Sequence, residues 1–116
     1  MNYTESLKSN NDYKEIYRTG KSYANKYLVM YIRRNNLDKN RLGISVSKKV
    51  GNSVVRHRIT RLVRESYRKS EDRLCYGFDI VIVARVGAKD REYSDIESAV
   101  MHLVKLHRIG KESGII

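Results

Sequence analysis

The chain has 116 residues, 32% charged and 41% hydrophobic, and its 24 Lys and Arg against 13 Asp and Glu give a net charge of +11 and a pI near 9.9. That length is one domain with a modest core, that composition excludes a disordered chain, and that charge points to a polyanionic partner. A lone cysteine, Cys75, excludes an internal disulfide and a zinc cluster, and no stretch is long and apolar enough to span a membrane.

Nucleic acid is the leading polyanion. An anionic membrane surface would need a basic amphipathic helix with a free apolar face, and the one basic helix of this chain needs that face for its core. The N-terminus lacks the apolar core of a signal peptide, so the expected location is the cytoplasm, with Cys75 a buried spectator thiol. Residues 1–116 read as a single RNA-binding domain, without repeats or low-complexity segments.

Residues 1–8 read as a loose arm. Ser9-x-x-Asp12 is a weak capping box, and a helix follows over about 11–18, stopped by Gly20. Tyr13, Ile16 and Tyr17 share one of its faces. Nine Tyr against one Phe and no Trp suggest rings that also meet water. Residues 22–34 read as strand, broken or bulged near Asn25. Leu28, Met30 and Ile32 make one face; Tyr27, Val29, Tyr31 and Arg33 make the other. The polar run 35–40 predicts a hairpin connection to a strand over 41–47. There Leu42, Ile44 and Val46 oppose Arg41, Gly43, Ser45 and Ser47. Pairing of these two strands would set Tyr27, Val29 and Tyr31 beside the small residues as a shallow trough on an open, polar sheet face, where tyrosine rings next to arginine can stack unpaired bases.

The stretch 48–69 carries the chain's charge. Lys48, Lys49, Arg56, Arg58, Arg61, Arg64, Arg68 and Lys69 are eight cations against one acid, Glu65, which is +7 of the net +11. Gly51-Asn52-Ser53 breaks the preceding loop and offers Asn52 or Ser53 as N-cap. From Val54 the pattern is helical: Val55, Ile59, Leu62 and Val63 form one apolar stripe. At about 100° per residue, His57, Arg61, Arg64 and Arg68 fall opposite that stripe and Arg56 and Arg58 flank it. Glu65 lies within reach of Arg61 and Lys69 and can orient them. Guanidinium groups suit bidentate phosphate contacts, and a face shaped by solubility alone would carry both signs.

Residues 70–77 form a connector. Phe78 to Arg85 is a strand apolar on both faces and therefore central. Ser94-x-x-Glu97 reads as a capping box opening a last helix along Ile96, Val100, Leu103, Val104 and His107. His102 and His107 are isolated, as structural or solvated histidines are. Residues 109–116 read as a frayed tail. The order is helix, three short strands, basic helix, strand, helix, which is an α+β sandwich built on one mostly antiparallel sheet.

Lys48-Lys49-Val50-Gly51-Asn52 followed by Arg56-x-Arg58-x-x-Arg61-x-x-Arg64-Glu65 resembles the signature of the bacterial ribonuclease P protein subunits, and the resemblance covers nearly the whole chain. His57 stands where that family usually has Asn; neutral imidazole also donates and accepts, with a different geometry. The resemblance implies a four-stranded sheet similar to a ribosomal-protein domain, with a left-handed crossover through the basic helix. It implies an RNA-binding subunit of an endonuclease that removes the 5′ leader of precursor tRNA, the chemistry residing in a catalytic RNA and its Mg²⁺ ions, with no protein partner required. By matching position, Lys48, Lys49, Asn52, Arg56, His57, Arg58, Arg61, Arg64 and Arg68 are expected to meet the catalytic RNA near the cleavage site. Tyr13, Tyr17 and Tyr31 are expected to bind the leader in a cleft between the first helix and the sheet.

The residues alone show no nucleophile elbow, no Gly-rich phosphate loop and no His/Cys metal spacing, and Asp79, Asp90, Glu92, Asp95 and Glu97 are scattered. No catalytic residue and no metal ligand is expected. A ribosomal or ribosome-assembly protein is the alternative class. A DNA-binding module would need its basic helix to reach base edges and a dimerisation stripe to spare.

Overall fold

The computed structural model describes residues 2–113. Strand β1 (Thr4–Ser6) precedes helix α1 (Asn10–Thr19), strands β2 (Lys21–Ala24), β3 (Leu28–Arg34) and β4 (Asn40–Ser45), helix α2 (Ser53–Ser70), strand β5 (Phe78–Ala84) and helix α3 (Tyr93–His107). One five-stranded sheet runs in the order β1-β4-β5-β3-β2. The β1–β4 and β4–β5 pairings are parallel and the β3–β5 and β2–β3 pairings antiparallel, so the sheet is mixed. The α+β class and the helix–strand order are as expected; the strand count is five because residues 4–6, taken as part of a loose arm, add an edge strand.

Strand β5 is central, as its apolar sequence on both faces requires: six of its seven residues are buried, Ile80, Val81 and Ile82 completely. It also corrects the expected hairpin. β3 and β4 do not pair; β5 lies between them, with Tyr31 opposite Val81 and Val81 opposite Gly43. Because β4 and β5 are parallel neighbours, the chain between them must cross over, and α2 is that crossover.

Alternation along β3 divides the molecule into two layers. Leu28, Met30 and Ile32 point into the larger core, with Ile59, Val63 and Tyr67 of α2 and Ile96, Val100 and Leu103 of α3. Each such side chain contributes about 1.5–3 kcal/mol by leaving water. The other face, expected to be open, is partly closed by α1: Ile16, Leu7 and Val81 are buried there, with Tyr13, Tyr31 and Val83 packed around them. Tyr27 leaves its expected place beside Tyr31. The chain turns at Asn25, whose Oδ1 accepts from the Tyr27 and Leu28 amides, and Tyr27 packs against the larger core.

Both termini are tied more closely than expected. Glu71, buried at the end of α2, accepts from the amides of Asn2 and Tyr3 at 3.0 and 3.2 Å. The Tyr67 hydroxyl and Thr4 Oγ1 share a 2.8 Å hydrogen bond. At the other end, Ile109 is buried, its carbonyl accepts from the Cys75 amide, and Leu74 bridges to Gly110. The expected tail at 109–116 is thus anchored at its first two residues and turns once more at Lys111–Ser113; residues 114–116, like Met1, lie outside the described residues. Two capping expectations also change. Ser9 is the N-cap of α1 without a side-chain bond, and α3 opens on a reciprocal box between Glu92 and Asp95, while Glu97 accepts from the Tyr93 hydroxyl at 2.9 Å.

Candidate nucleic-acid interface

The interface is built on α2. Asn52 is its N-cap, its Oδ1 accepting from the Val55 amide at 3.0 Å. Gly51 abuts Val55 so closely that a Cβ there would meet the Val55 side chain at 2.7 Å. Val50 is buried and holds the loop against the core, which leaves Lys48 and Lys49 exposed ahead of the helix. The apolar stripe then buries Ile59 and Val63 and continues through Ser66, Tyr67 and Ser70. His57, Arg61, Arg64 and Arg68 are exposed on the opposite face, and Arg56 and Arg58 are half-buried at its margins.

The cations differ in how far they are engaged. Glu65 takes Arg68, not Arg61 or Lys69: Arg68 Nε donates to its carboxylate at 3.1 Å, a pairing that holds the Glu65 carboxyl below its ordinary range. Arg58 Nη2 donates to the Arg91 carbonyl at 2.8 Å, which orients its guanidinium, and Arg58 is in no ion pair among the described residues. Lys69 lies 4.9 Å from the centre of the Tyr93 ring. Arg56 Nε is buried and reaches no acceptor among the described residues. The six ion pairs of the described residues include neither Arg61 nor Arg64. Arg61 and Arg64 are thus held outward by a helix whose other side is locked into the core, and no carboxylate of the described residues forms an ion pair with them.

The three tyrosines expected at a leader site do come together. Tyr17 meets Tyr31 edge-on with ring centres 4.9 Å apart, and Tyr13 lies 6.3 Å from Tyr17. Tyr13 lies over Gly43, where a Cβ would fall 2.5 Å from its hydroxyl oxygen. Burial and the neighbouring Tyr17 push the Tyr13 phenol above its ordinary value, so it stays a neutral hydrogen-bonding group. Tyr17 is the exposed member, at 39%. A cleft of about 120 Å³ passes along Leu7, Tyr13, Gly43 and Ile44 and is closed on one side by Arg64. The aromatic cluster and the arginine face are therefore continuous.

The alternation of β3 and β4 sets Arg33 and Arg41 on the same sheet face as the tyrosines. Both are committed to Asp79, which is fully buried: Arg41 Nε and Nη2 each donate at 2.7 Å, Arg33 Nη2 at 3.1 Å and Asn35 Nδ2 at 3.1 Å. Burial alone would raise the Asp79 carboxyl, but these hydrogen bonds outweigh it and hold it below the ordinary value. The signal was a single acid inside the apolar run 78–84; such a residue has to be paired. Tyr93 was missed too, and no sequence pattern singles it out.

Among the described residues no three His, Cys, Asp or Glu side chains are grouped so as to hold a metal ion, and no helix is long and apolar enough to cross a membrane. The donor set of this surface fits phosphates and aromatic bases rather than a magnesium ion.

Comparison with known proteins is consistent across sequence and structure. The family model described as Ribonuclease P matches residues 1–108. The ribonuclease P protein component of Lachnoclostridium phytofermentans is 63% identical over 106 residues, covering 91% of each chain, and that of Clostridioides difficile is 48% identical, covering 90% of this chain and 93% of its own. The solved ribonuclease P protein of Staphylococcus aureus superposes with a TM-score of 0.84 at 38% identity, covering 90% of this chain and 96% of that one. The Thermotoga maritima protein gives 0.80 at 32%, covering 88% and 96%. Relatives this similar over nearly their whole length, matched on the same fold, make this chain a member of the ribonuclease P protein family.

Proposed function

We propose that the protein is the RNA-binding subunit of a ribonuclease P and assists removal of the 5′ leader from precursor tRNA. Lys48, Lys49, Asn52, Arg56, His57, Arg58, Arg61, Arg64 and Arg68 meet the catalytic RNA near the cleavage site, and Tyr13, Tyr17 and Tyr31 take the leader. The observation that carries this reading is the cleft shared by Tyr13 and Arg64: one wall offers the Tyr13 ring, next to Tyr17 and Tyr31, for unpaired bases, and another the Arg64 guanidinium for phosphate. A leader lying there and an RNA lying along α2 would be neighbours, so one small protein touches enzyme and substrate at once.

In this reading the catalytic RNA and its Mg²⁺ ions supply the hydrolysis. The protein's part is to neutralise phosphate charge, which lowers the demand of the assembled RNA for counterions, and to favour precursor over the mature product that lacks the leader. Its described carboxylates are ion-paired or dispersed, which suits binding and not metal-dependent cleavage.

The test is reconstitution with a bacterial ribonuclease P RNA at low Mg²⁺. Leader removal should be restored by the protein and absent with protein alone. A protein that leaves cleavage unchanged overturns the reading in favour of another RNA-binding role, such as a ribosomal one; cleavage without the RNA makes it a nuclease in its own right.

A further inference from the structure

A second depression lies across Arg64 from the tyrosine cleft. It has a volume of about 340 Å³ and runs between α2 and the start of α3, walled by Arg61, Leu62, Arg64, Glu65 and Tyr93. Its charge is one-sided. Glu65 is committed to Arg68, whereas Arg61 and Arg64 are in no ion pair among the described residues. Tyr93 is held in place from two directions: its hydroxyl donates to Glu97 at 2.9 Å, and the Lys69 ammonium sits 4.9 Å from its ring centre. Its phenol is pushed up to about 12 by burial and by Glu97, so the ring stays neutral at every physiological pH. An apolar side chain and a fixed ring, flanked by two free guanidinium groups, match a nucleotide with its base unstacked and its phosphates at the rim.

We propose that this groove receives one unpaired nucleotide of the catalytic RNA, its base against Tyr93 and Leu62 and its flanking phosphates on Arg61 and Arg64. The proposal rests on the RNA-subunit reading above and gives the arginine face a fixed register. A helix that offers only charges can slide along a phosphate backbone; a base seated at Tyr93 stops it. The occupant is the catalytic RNA and not the leader, because the groove is walled by α2 and the first residue of α3 and none of Tyr13, Tyr17 and Tyr31 lines it.

The experiment compares binding of the full-length catalytic RNA to the wild-type protein, Tyr93→Phe and Tyr93→Leu over a salt series, with chemical probing of unpaired bases in each complex. Loss of one stacking contact should weaken Tyr93→Leu roughly tenfold. The logarithmic salt slope should stay at its wild-type value because no phosphate contact is lost. Tyr93→Phe keeps the ring and should bind like wild type. One unpaired nucleotide should be protected by wild type and Tyr93→Phe and reactive with Tyr93→Leu, and precursor-over-mature discrimination should not move. Equal affinity of all three proteins, or a loss that comes with a shallower salt slope, overturns the groove. If Tyr93→Leu fails to fold, ultraviolet cross-linking of the wild-type complex decides: a Tyr93 peptide among the adducts supports the groove, and adducts on other peptides only overturn it. Failure of the wild-type protein to bind the RNA at all would instead remove the subunit reading.

Discussion

Asp79 shows how much of this surface depends on one buried charge. It takes four hydrogen bonds from Arg41, Arg33 and Asn35 while fully out of water, directly beneath the face that α1 covers. Removing it leaves Arg33 uncompensated and Arg41 with only its 3.4 Å pairing to Asp12, and Asp79→Ala should cost about 3 kcal/mol, readable as a lower denaturant midpoint with an unchanged slope. The sign of the pH effect follows from the depressed carboxyl: its stabilisation is complete above the unfolded value, about pH 4, and disappears as pH falls through the lower folded value. Acid unfolding of Asp79→Ala should therefore lose part of the steepness that wild type shows below about pH 4. His107 works in the same direction at higher pH. Burial, aided by the nearby Lys21 charge, favours a neutral ring and outweighs the 2.8 Å bond to the Met30 carbonyl, which favours the protonated form, so the value lies below the ordinary one. Stability should be full above about pH 6.5 and decline as pH falls through the folded value, and a melting series from pH 8 to 5 on wild type and His107→Gln checks this, since the variant should show the flatter profile.

At the scale of elements, α2 was the part most legible in the sequence, and for a physical reason. An apolar stripe at helical spacing fixes which side faces inward, and every charge then follows from geometry. Arg61→Ala with Arg64→Ala should weaken the complex with the catalytic RNA and reduce its logarithmic salt slope by roughly two, one for each lost phosphate contact. An unchanged slope would mean that these two side chains do not touch phosphate. The strands were legible singly but not in their pairing. Short polar connections usually join neighbouring strands, so residues 35–40 suggested a hairpin; in fact they step over the end of β5, which a local pattern cannot announce. β1 was invisible for a different reason. Three residues, Thr4, Glu5 and Ser6, have no apolar alternation; they pair with β4 while Tyr67 of α2 holds Thr4 and Glu71, just past α2, holds the preceding Asn2 and Tyr3.

For the whole molecule, the consequence is a surface with two chemistries meeting at Arg64. The aromatic side is expected to matter only for substrates that carry a leader. Tyr17→Ala should reduce affinity of the assembled enzyme for precursor tRNA by about tenfold, the range of one stacking contact, and leave mature tRNA unaffected. Equal losses for both would place Tyr17 outside the leader path. Periodicity sets Tyr13 and Tyr17 on one helix face and Tyr31 on a strand face, but only the resemblance to the ribonuclease P protein subunits implies that the three share a cleft. The groove at Tyr93 could not, because it arises where two helices far apart in the chain converge.

The place of β5 between β3 and β4 also bears on how the protein is made. Synthesis delivers the flanks of the sheet first and its middle last. While residues 78–84 are still inside the ribosome, β3 can find only β2, and β4 has no partner on the side that β5 will fill. The arginines of α2 precede β5 in the chain and so leave the ribosome before it, attached to a chain with no centre to settle around. A message cut short before Phe78 would release that cationic helix without a fold to hold it, so competence for RNA arrives in one late step, with a single seven-residue segment acting as the keystone.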